Sequence, residues 1–342
     1  MASDSLPVIT QEPSDAGASP PIALSAVIPV YQGENTLETL LSEIAPLAGG
    51  SRTPRGVAFR VAEVVLVHDA AADRSDEKMR DLAARHPWIV LLWLSRNYGQ
   101  HPATLAGLAS SSSEWVVTLD EDGQQDPAEI GAMLDRALES GALLVYGRAV
   151  NPPPHGRLRN LASRLVKRAF SLATGSREIL RFSSFRLIRG EIARSLAAYC
   201  GHGVFLDVAL TWVVGRSELC PVTLRPERGR PSGYSLRRLV SHFWRMVLSA
   251  GTRPLRIISV AGFLSVLMGI ALSGISVWGK LTHQIPVAGY TTIIIVICFF
   301  SGVTLFSLGV IAEYLGLALT QAMGKPLYLT VSRPVRDART RR

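Results

Sequence analysis

The chain has 342 residues, enough for one or two domains with a sizeable core, and a formal net charge of +9. Its three cysteines, Cys200, Cys220 and Cys298, offer no paired spacing and no metal-ligand pattern, and fit a reduced, cytoplasmic domain. The basic charge is not read as nucleic-acid binding, because clusters of arginines flank two apolar stretches, where anionic lipid headgroups explain most of these clusters.

Residues 1–22 are polar, rich in Pro, Ser, Asp and Ala, and read as a disordered tail without a signal peptide. From Ala23 strands and helices alternate. Leu24–Val30 is a short buried strand, and Asn35–Leu47 a helix with Leu37, Leu40, Leu41 and Ile44 on one face. Gly49–Gly56 reads as a loop. A second strand is expected over Ala62–His68, a helix over Asp76–Arg85, a third strand over Ile89–Leu94 and a helix over His101–Ser110. A fourth strand, Trp115–Leu119, a helix over Pro127–Ser140 capped by Asp126, and a fifth strand, Ala142–Tyr146, complete the series. This order predicts a mostly parallel sheet covered on both faces, whose ligand would lie beyond the carboxyl ends of the strands.

Leu236–Leu248 interleaves apolar positions with Arg237, Arg238, His242 and Arg245, the pattern of an interfacial amphipathic helix. Ile257–Trp278 and Gln284–Ala312 then carry no charge. A bilayer core needs about 20 apolar residues in a helix, so two spans are expected between about Leu255 and Gln321. Arginines from Arg225 to Arg256, and a basic group from Lys325 to Arg342, put both chain ends in the cytoplasm by the positive-inside rule. Gly302, Gly309 and Gly316 recur every seven residues and predict a close-packing seam, within the chain or between copies in a homo-oligomer.

The residues after the strands are polar and unusual. Asp120-Glu121-Asp122 is the sharpest signal, three consecutive carboxylates directly after an apolar strand. Mutual repulsion there is relieved by a hard divalent cation, Mg²⁺ or Mn²⁺, which takes one or two carboxylates together with substrate phosphates. Strand alternation puts Asp120 and Asp122 on one side and turns Glu121 away. A solvated acidic turn is the simpler use of the same residues.

Four segments in order carry a family resemblance: Ser25-Ala26-Val27-Ile28-Pro29-Val30-Tyr31, Val64-Val65-Leu66-Val67-His68-Asp69, Leu94-Ser95-Arg96-Asn97-Tyr98-Gly99-Gln100 and Thr118-Leu119-Asp120-Glu121-Asp122-Gly123-Gln124-Gln125-Asp126-Pro127. Together they resemble family 2 glycosyltransferases of the GT-A fold, and within them the polyprenyl-phosphate glycosyltransferases related to dolichol-phosphate mannose synthase. Ala312-Glu313-Tyr314-Leu315-Gly316 is similar to that subgroup's second span. The resemblance implies a Rossmann-like α/β domain at 23–230, a juxtamembrane segment at 231–253, a two-helix membrane domain at 254–322 and a basic tail at 323–342. It further implies a single-sugar transfer from a UDP- or GDP-sugar to polyprenyl phosphate. Pro29, Tyr31, Glu34 and Asp69 would line the nucleotide, Asp120 and Asp122 would form the metal pair, and Gln124 would lie beside the sugar phosphate. Arg225-Pro226-Glu227-Arg228-Gly229-Arg230-Pro231-Ser232-Gly233-Tyr234 resembles the family's basic acceptor loop, in which Arg228, Ser232 and Tyr234, with Arg186, would meet the acceptor phosphate.

Two departures stand out. The family's Asp-Asp-Gly-Ser is His68-Asp69-Ala70-Ala71 here, at the point where UDP and GDP would be told apart. The acid that many relatives place before Phe-Arg is Ser184 here, leaving Asp207 as the nearest carboxylate, catalytic or a helix cap. Two other readings compete. A membrane-docked scaffold without activity is supported by His68 and Ser184. A processive polysaccharide synthase is disfavoured by only two spans and the lack of a Gln-x-x-Arg-Trp segment.

Overall fold

The computed structural model describes residues 20–151, 181–201, 204–225, 253–282 and 290–335. The expected amphipathic helix at Leu236–Leu248 and the acceptor-loop residues Arg228, Ser232 and Tyr234 lie outside the described residues.

The first half of the domain follows the hydrophobic pattern closely. β1 is Ile22–Val30, α1 Leu37–Ala48, β2 Ser51–Arg52, β3 Ala58–His68, α2 Ser75–Arg85, β4 Ile89–Leu94, α3 Gln100–Ser110 and β5 Trp115–Thr118. A single 3-10 turn, Pro127–Glu129, leads into α4, Ile130–Ser140, and Asp126 caps it as expected, its carboxylate accepting from the Ala128 N–H at 3.0 Å. The second half adds β6 (Leu144–Ala149), β7 (Arg186–Arg189), α5 (Gly190–Tyr199), α6 (Leu206–Val213) and β8 (Glu218–Val222).

The strands, with the C-terminal β9 (Thr330–Val331), form one nine-stranded sheet in the order β8-β6-β7-β5-β1-β3-β4-β9, with β2 paired antiparallel to β3. The β5-β1-β3-β4 block is parallel. β7 enters antiparallel between β5 and β6, so the sheet is mixed. Alternation along the strands splits the core into two layers. Ala26, Ile28, Val64 and Leu66 face one layer with α1, α2 and α4, while Val27, Val65 and Val67 face the other with α3, α5 and α6. A glycine at 107 is demanded by close approach: a Cβ there would stand 2.3 Å from Val27 Cγ1.

Two long helices follow, α7 (Arg253–Leu281) and α8 (Tyr290–Ala322). Among the described residues one stretch is long and apolar enough to cross a membrane, Phe299–Ala322 in α8; the corresponding apolar stretch of α7, Ile258–Ala271, is shorter. Both helices expose large apolar side chains, Phe263, Ile270, Leu305 and Leu315 among them. They approach each other at Gly269, where a Cβ would lie 3.1 Å from the Phe300 ring. Among the described residues nothing lies within 4 Å of a Cβ built at Gly302, Gly309 or Gly316. After α8 the chain returns to the domain, and β9 (Thr330–Val331) pairs antiparallel with β4.

Candidate active site

Two cavities open at the carboxyl ends of β1, β3 and β5, the side that the parallel block marks for a ligand. The larger, about 680 Å³, is lined by Pro29, Tyr31, Glu34, Asp69, Asp120 and Asp122, with Glu121 and Asn97 also on its wall. The smaller, about 180 Å³, is lined by Ser184, Arg186, Asp207 and Phe182 and shares Pro29, Gln100 and Asp120 with the first. Asp120 is thus on the wall between them. Gln124 lines neither cavity: its backbone N–H donates to Asp122 Oδ1 at 3.0 Å and its carbonyl accepts from the Arg225 N–H at 2.8 Å. Arg148 is exposed at the far end of β6.

The larger cavity is built from loops tied to one another through carboxylates. Glu121 does not turn away as strand alternation predicted. β5 ends at Thr118, so the alternation does not continue through the turn that follows, and Glu121 Oε2 and Oε1 accept from the Tyr31 and Gln32 N–H groups, each at 2.9 Å. Gly33 sits under that contact, where a Cβ would be 2.7 Å from Leu37 Cγ and 2.9 Å from Glu121 Oε2. Asp69 accepts from the Tyr98 and Gly99 N–H groups, each at 2.7 Å. Burial pushes its carboxyl up to about 6, against the lowering effect of those two amides. His68 is fully buried, its ring edge-on to Trp93 at 5.4 Å, and only Asp69 of the pair reaches the cavity wall.

Asp120 is held from three sides. Gln100 Nε2 donates to Oδ1 at 2.5 Å, while Ser184 Oγ at 2.5 Å and Gln125 Nε2 at 3.0 Å donate to Oδ2. Burial raises its pKa nonetheless, with Ser184 and Arg186 opposing. Ser184, where an acid was expected from the resemblance, is therefore a donor to a buried acid; two carboxylates in that place would repel. Gln125, which sequence reasoning missed, also accepts from the Asp120 backbone N–H at 2.9 Å and donates to Ser184 Oγ at 2.8 Å. No periodicity marks such a residue; its only signal was a second glutamine beside the acidic turn.

Arg186 and Asp207 meet at 3.4 Å, both buried, on the wall of the smaller cavity. Tyr146 Oη donates to Asp207 Oδ1 at 3.0 Å, and Arg186 Nε donates to the Ser183 carbonyl at 2.9 Å. Asp207 is not a cap. Phe205 holds the N-cap position of α6, and Asp207 lies in the first turn with its pKa raised by burial. Arg225, counted in the sequence among the lipid-facing arginines, instead pairs with Glu43 at 2.7 Å and Asp126 at 2.5 Å, which clips the end of β8 to the loop after Asp122.

A metal fits this donor set in one respect. Among the described residues no three His, Cys, Asp or Glu side chains cluster as a complete protein-made site. Mg²⁺ and Mn²⁺ in phosphate-binding sites need only one or two carboxylates, with phosphate oxygens and water completing the shell. Asp122 meets that requirement on the wall of the larger cavity, next to Asp120, whose oxygens are already engaged.

The domain is a mixed α/β sheet with acidic loops at its strand ends, and sequence comparison says to which family it belongs. Residues 25–210 match Glycosyl transferase family 2, and residues 253–318 match the GtrB C-terminal hairpin. The chain belongs to glycosyl transferase family 2 and is a glycosyltransferase. It is 31% identical over 318 residues to the undecaprenyl-phosphate 4-deoxy-4-formamido-L-arabinose transferase of Pseudomonas aeruginosa strain LESB58, covering 92% of this chain and 90% of that protein. The enzyme of the same name from Edwardsiella ictaluri is 28% identical over 309 residues, 89% of this chain and 92% of that one. Glucosyl-3-phosphoglycerate synthase from Mycobacterium tuberculosis, solved with Mn²⁺, UDP and glucosyl-3-phosphoglycerate, superposes with a TM-score of 0.46 at 19% identity over 68% of this chain and 80% of that one, a likeness too distant to transfer residues or ligands.

Proposed function

We propose that this enzyme moves a single sugar from a UDP- or GDP-sugar to a polyprenyl phosphate at the cytoplasmic face of a membrane. The carrying observation is the full-length match to enzymes named as undecaprenyl-phosphate transferases, which extends from the sheet domain through the C-terminal hairpin. In this reading α7 and α8 both span the bilayer, residues 231–253 lie along its surface, and both chain ends are cytoplasmic.

The larger cavity takes the nucleotide. Asp69 and Glu34 accept from base or ribose donors, and Pro29 and Tyr31 give the ring a surface to rest on. Asp122 would hold a divalent cation, with Asp120 beside it on the same wall. Such a cation supplies charge stabilisation to the departing diphosphate. Gln124 stays near the sugar phosphate through the Asp122 loop. The smaller cavity, reached past Asp120, takes the transferred sugar, with Asp207 and Arg186 at its back wall. An acceptor phosphate is already ionised at pH 7, so it needs orientation and charge steering more than a strong base. Arg186, Arg228, Ser232 and Tyr234 serve that role. The purified protein, incubated with a panel of UDP- and GDP-sugars, Mg²⁺ or Mn²⁺ and a short polyprenyl phosphate, is expected to yield one glycosylated lipid by mass. Nucleotide-sugar binding without any lipid product would overturn the transfer reading.

A further inference from the structure

The strand that follows the apolar helix α8 ends against the loop that walls the larger cavity. Leu327 and Tyr328 pack into the core layer that contains Leu94, Ala103 and Ala106, which fixes the chain's return. The Leu329 carbonyl accepts from the Ser95 N–H at 2.9 Å, one residue beyond the β4–β9 pairs Leu94↔Thr330 and Trp93↔Val331. The Leu329 backbone amide also hydrogen-bonds the Tyr98 hydroxyl, which lies 2.9 Å from Ser95 Oγ. Arg96 stacks over the same ring at 4.5 Å. From Tyr98 the chain of contacts is short. The Tyr98 and Gly99 amides are the two donors to Asp69, and Gly99 takes φ 93°, a left-handed conformation that suits glycine.

We propose that β9 is a positioning element of the donor pocket: by holding Ser95 and the Tyr98 hydroxyl it sets the two backbone amides that orient Asp69. The inference rests on the reading of the larger cavity as the nucleotide pocket. Its physical basis is geometric. β4 would otherwise be the open edge of the sheet, and the loop leaving an unpaired edge strand is free to move. With β9 in place, both backbone faces of the Ser95–Gly99 turn are engaged, one by Leu329 and one by Asp69. The segment after α8 therefore does more than tether: it supports the wall of the site that carries Asn97 and Gly99.

Two full-length variants test this, each assayed for Mg²⁺-dependent UDP and GDP binding by calorimetry, for the donor and acceptor KM, and for melting temperature. Tyr98→Phe removes the hydroxyl that joins Leu329 to Ser95. Val331→Pro breaks the β9 pairing, because the Ser95–Leu329 bond sets the register in which the Val331 amide, two residues on, faces β4 in the Trp93↔Val331 pair. Each is expected to weaken nucleotide binding and raise the donor KM by about five- to ten-fold, the size of one or two lost hydrogen bonds, with the acceptor KM unmoved. The double variant is expected to show no larger loss than the worse single one, because both act through the same turn. Binding in the unaltered chain together with unchanged affinity in both variants, even with a lowered melting temperature, would overturn the inference alone. No nucleotide binding by the unaltered chain would overturn the donor-pocket reading and take this inference with it.

Discussion

The two cavities differ in how their carboxylates are satisfied. In the larger one, Glu121 and Asp69 accept from backbone amides of neighbouring loops, and Asp122 accepts from the Gln124 amide within its own turn. In the smaller one, Asp207 is buried against a guanidinium and a phenol carried by separate strands, β7 and β6. The first arrangement ties each acid to loop amides and leaves room for an incoming ligand. The second couples an acid to the fold itself. Residues of the first kind should register in activity, and those of the second in stability as well.

The largest expected effect belongs to Asp122. Asp122→Ala removes the turn contact to the Gln124 amide, whose loss is expected to cost about 1 kcal/mol of stability. Transfer should fall by about 10²- to 10³-fold, the usual cost of deleting one charge-stabilising group. Steady-state turnover beside calorimetric unfolding reads both. An equal loss of stability would erase the distinction between the cavities.

The counterpart is Arg186→Met. Deleting one member of a buried pair leaves Asp207 uncompensated, and such losses run to about 3 kcal/mol or more. A marked drop in melting temperature is expected here, larger than that of Asp122→Ala. Asp207→Asn is the milder probe, since the amide still accepts from Tyr146. It should keep nucleotide-sugar binding while losing transfer, and unchanged turnover would remove Asp207 from the catalytic group.

How far the sequence reaches follows the same division. Every strand of the β5-β1-β3-β4 block was legible, because consecutive apolar residues bounded by polar loops have few other uses in a parallel sheet. The residues read off those strand ends, Pro29, Tyr31, Glu34, Asp69, Asp120 and Asp122, do line one cavity. β7 was not legible. Arg186-Leu187-Ile188-Arg189 is four residues long, flanked by arginines, and becomes a central strand only because β5 and β6 each pair with it. Gln125 and the Arg186–Asp207 pair were hidden for a related reason: 59 residues separate Gln125 from Ser184 and 21 separate Arg186 from Asp207, so only the fold brings them together. The placement of Glu121 was misread because alternation was carried past the end of a strand into a turn.

Asp69 offers a test by pH. Its carboxyl lies at about 6 in the fold against an ordinary 3.8, so the folded protein holds that proton more tightly than the unfolded chain. Stability therefore falls as pH rises from about 4 to about 6, and the burial cost of the charged form, about 3 kcal/mol by the shift, is fully felt above that window. Melting temperatures recorded between pH 4 and 7 should show this slope, and Asp69→Asn should flatten it. Nucleotide affinity should run the other way and weaken below pH 6, where Asp69 stops being a full acceptor. A flat affinity profile would place the ligand's donors on another group.

The smallest expected effect is also the most local. The resemblance places a glycine where this chain has Ala70, and Ala70 is the one described non-glycine residue with a positive φ, 48°. It is fully buried and follows Asp69, which lines the larger cavity. A left-handed conformation costs a residue with a Cβ about 1 kcal/mol relative to glycine. Against this, glycine gives the unfolded chain more freedom and removes a buried methyl, which together oppose by about 1 to 2 kcal/mol. Strain relief and these losses nearly cancel. Ala70→Gly should therefore change stability by no more than about 0.5 kcal/mol in either direction, and leave the Asp69 pH slope intact because both amide donors to that carboxylate come from Tyr98 and Gly99. A stability loss near 1 kcal/mol would mean that the methyl packs well enough to outweigh its backbone strain. A changed pH slope would mean that the turn at residue 70, and not the Tyr98–Gly99 amides, sets the Asp69 carboxylate.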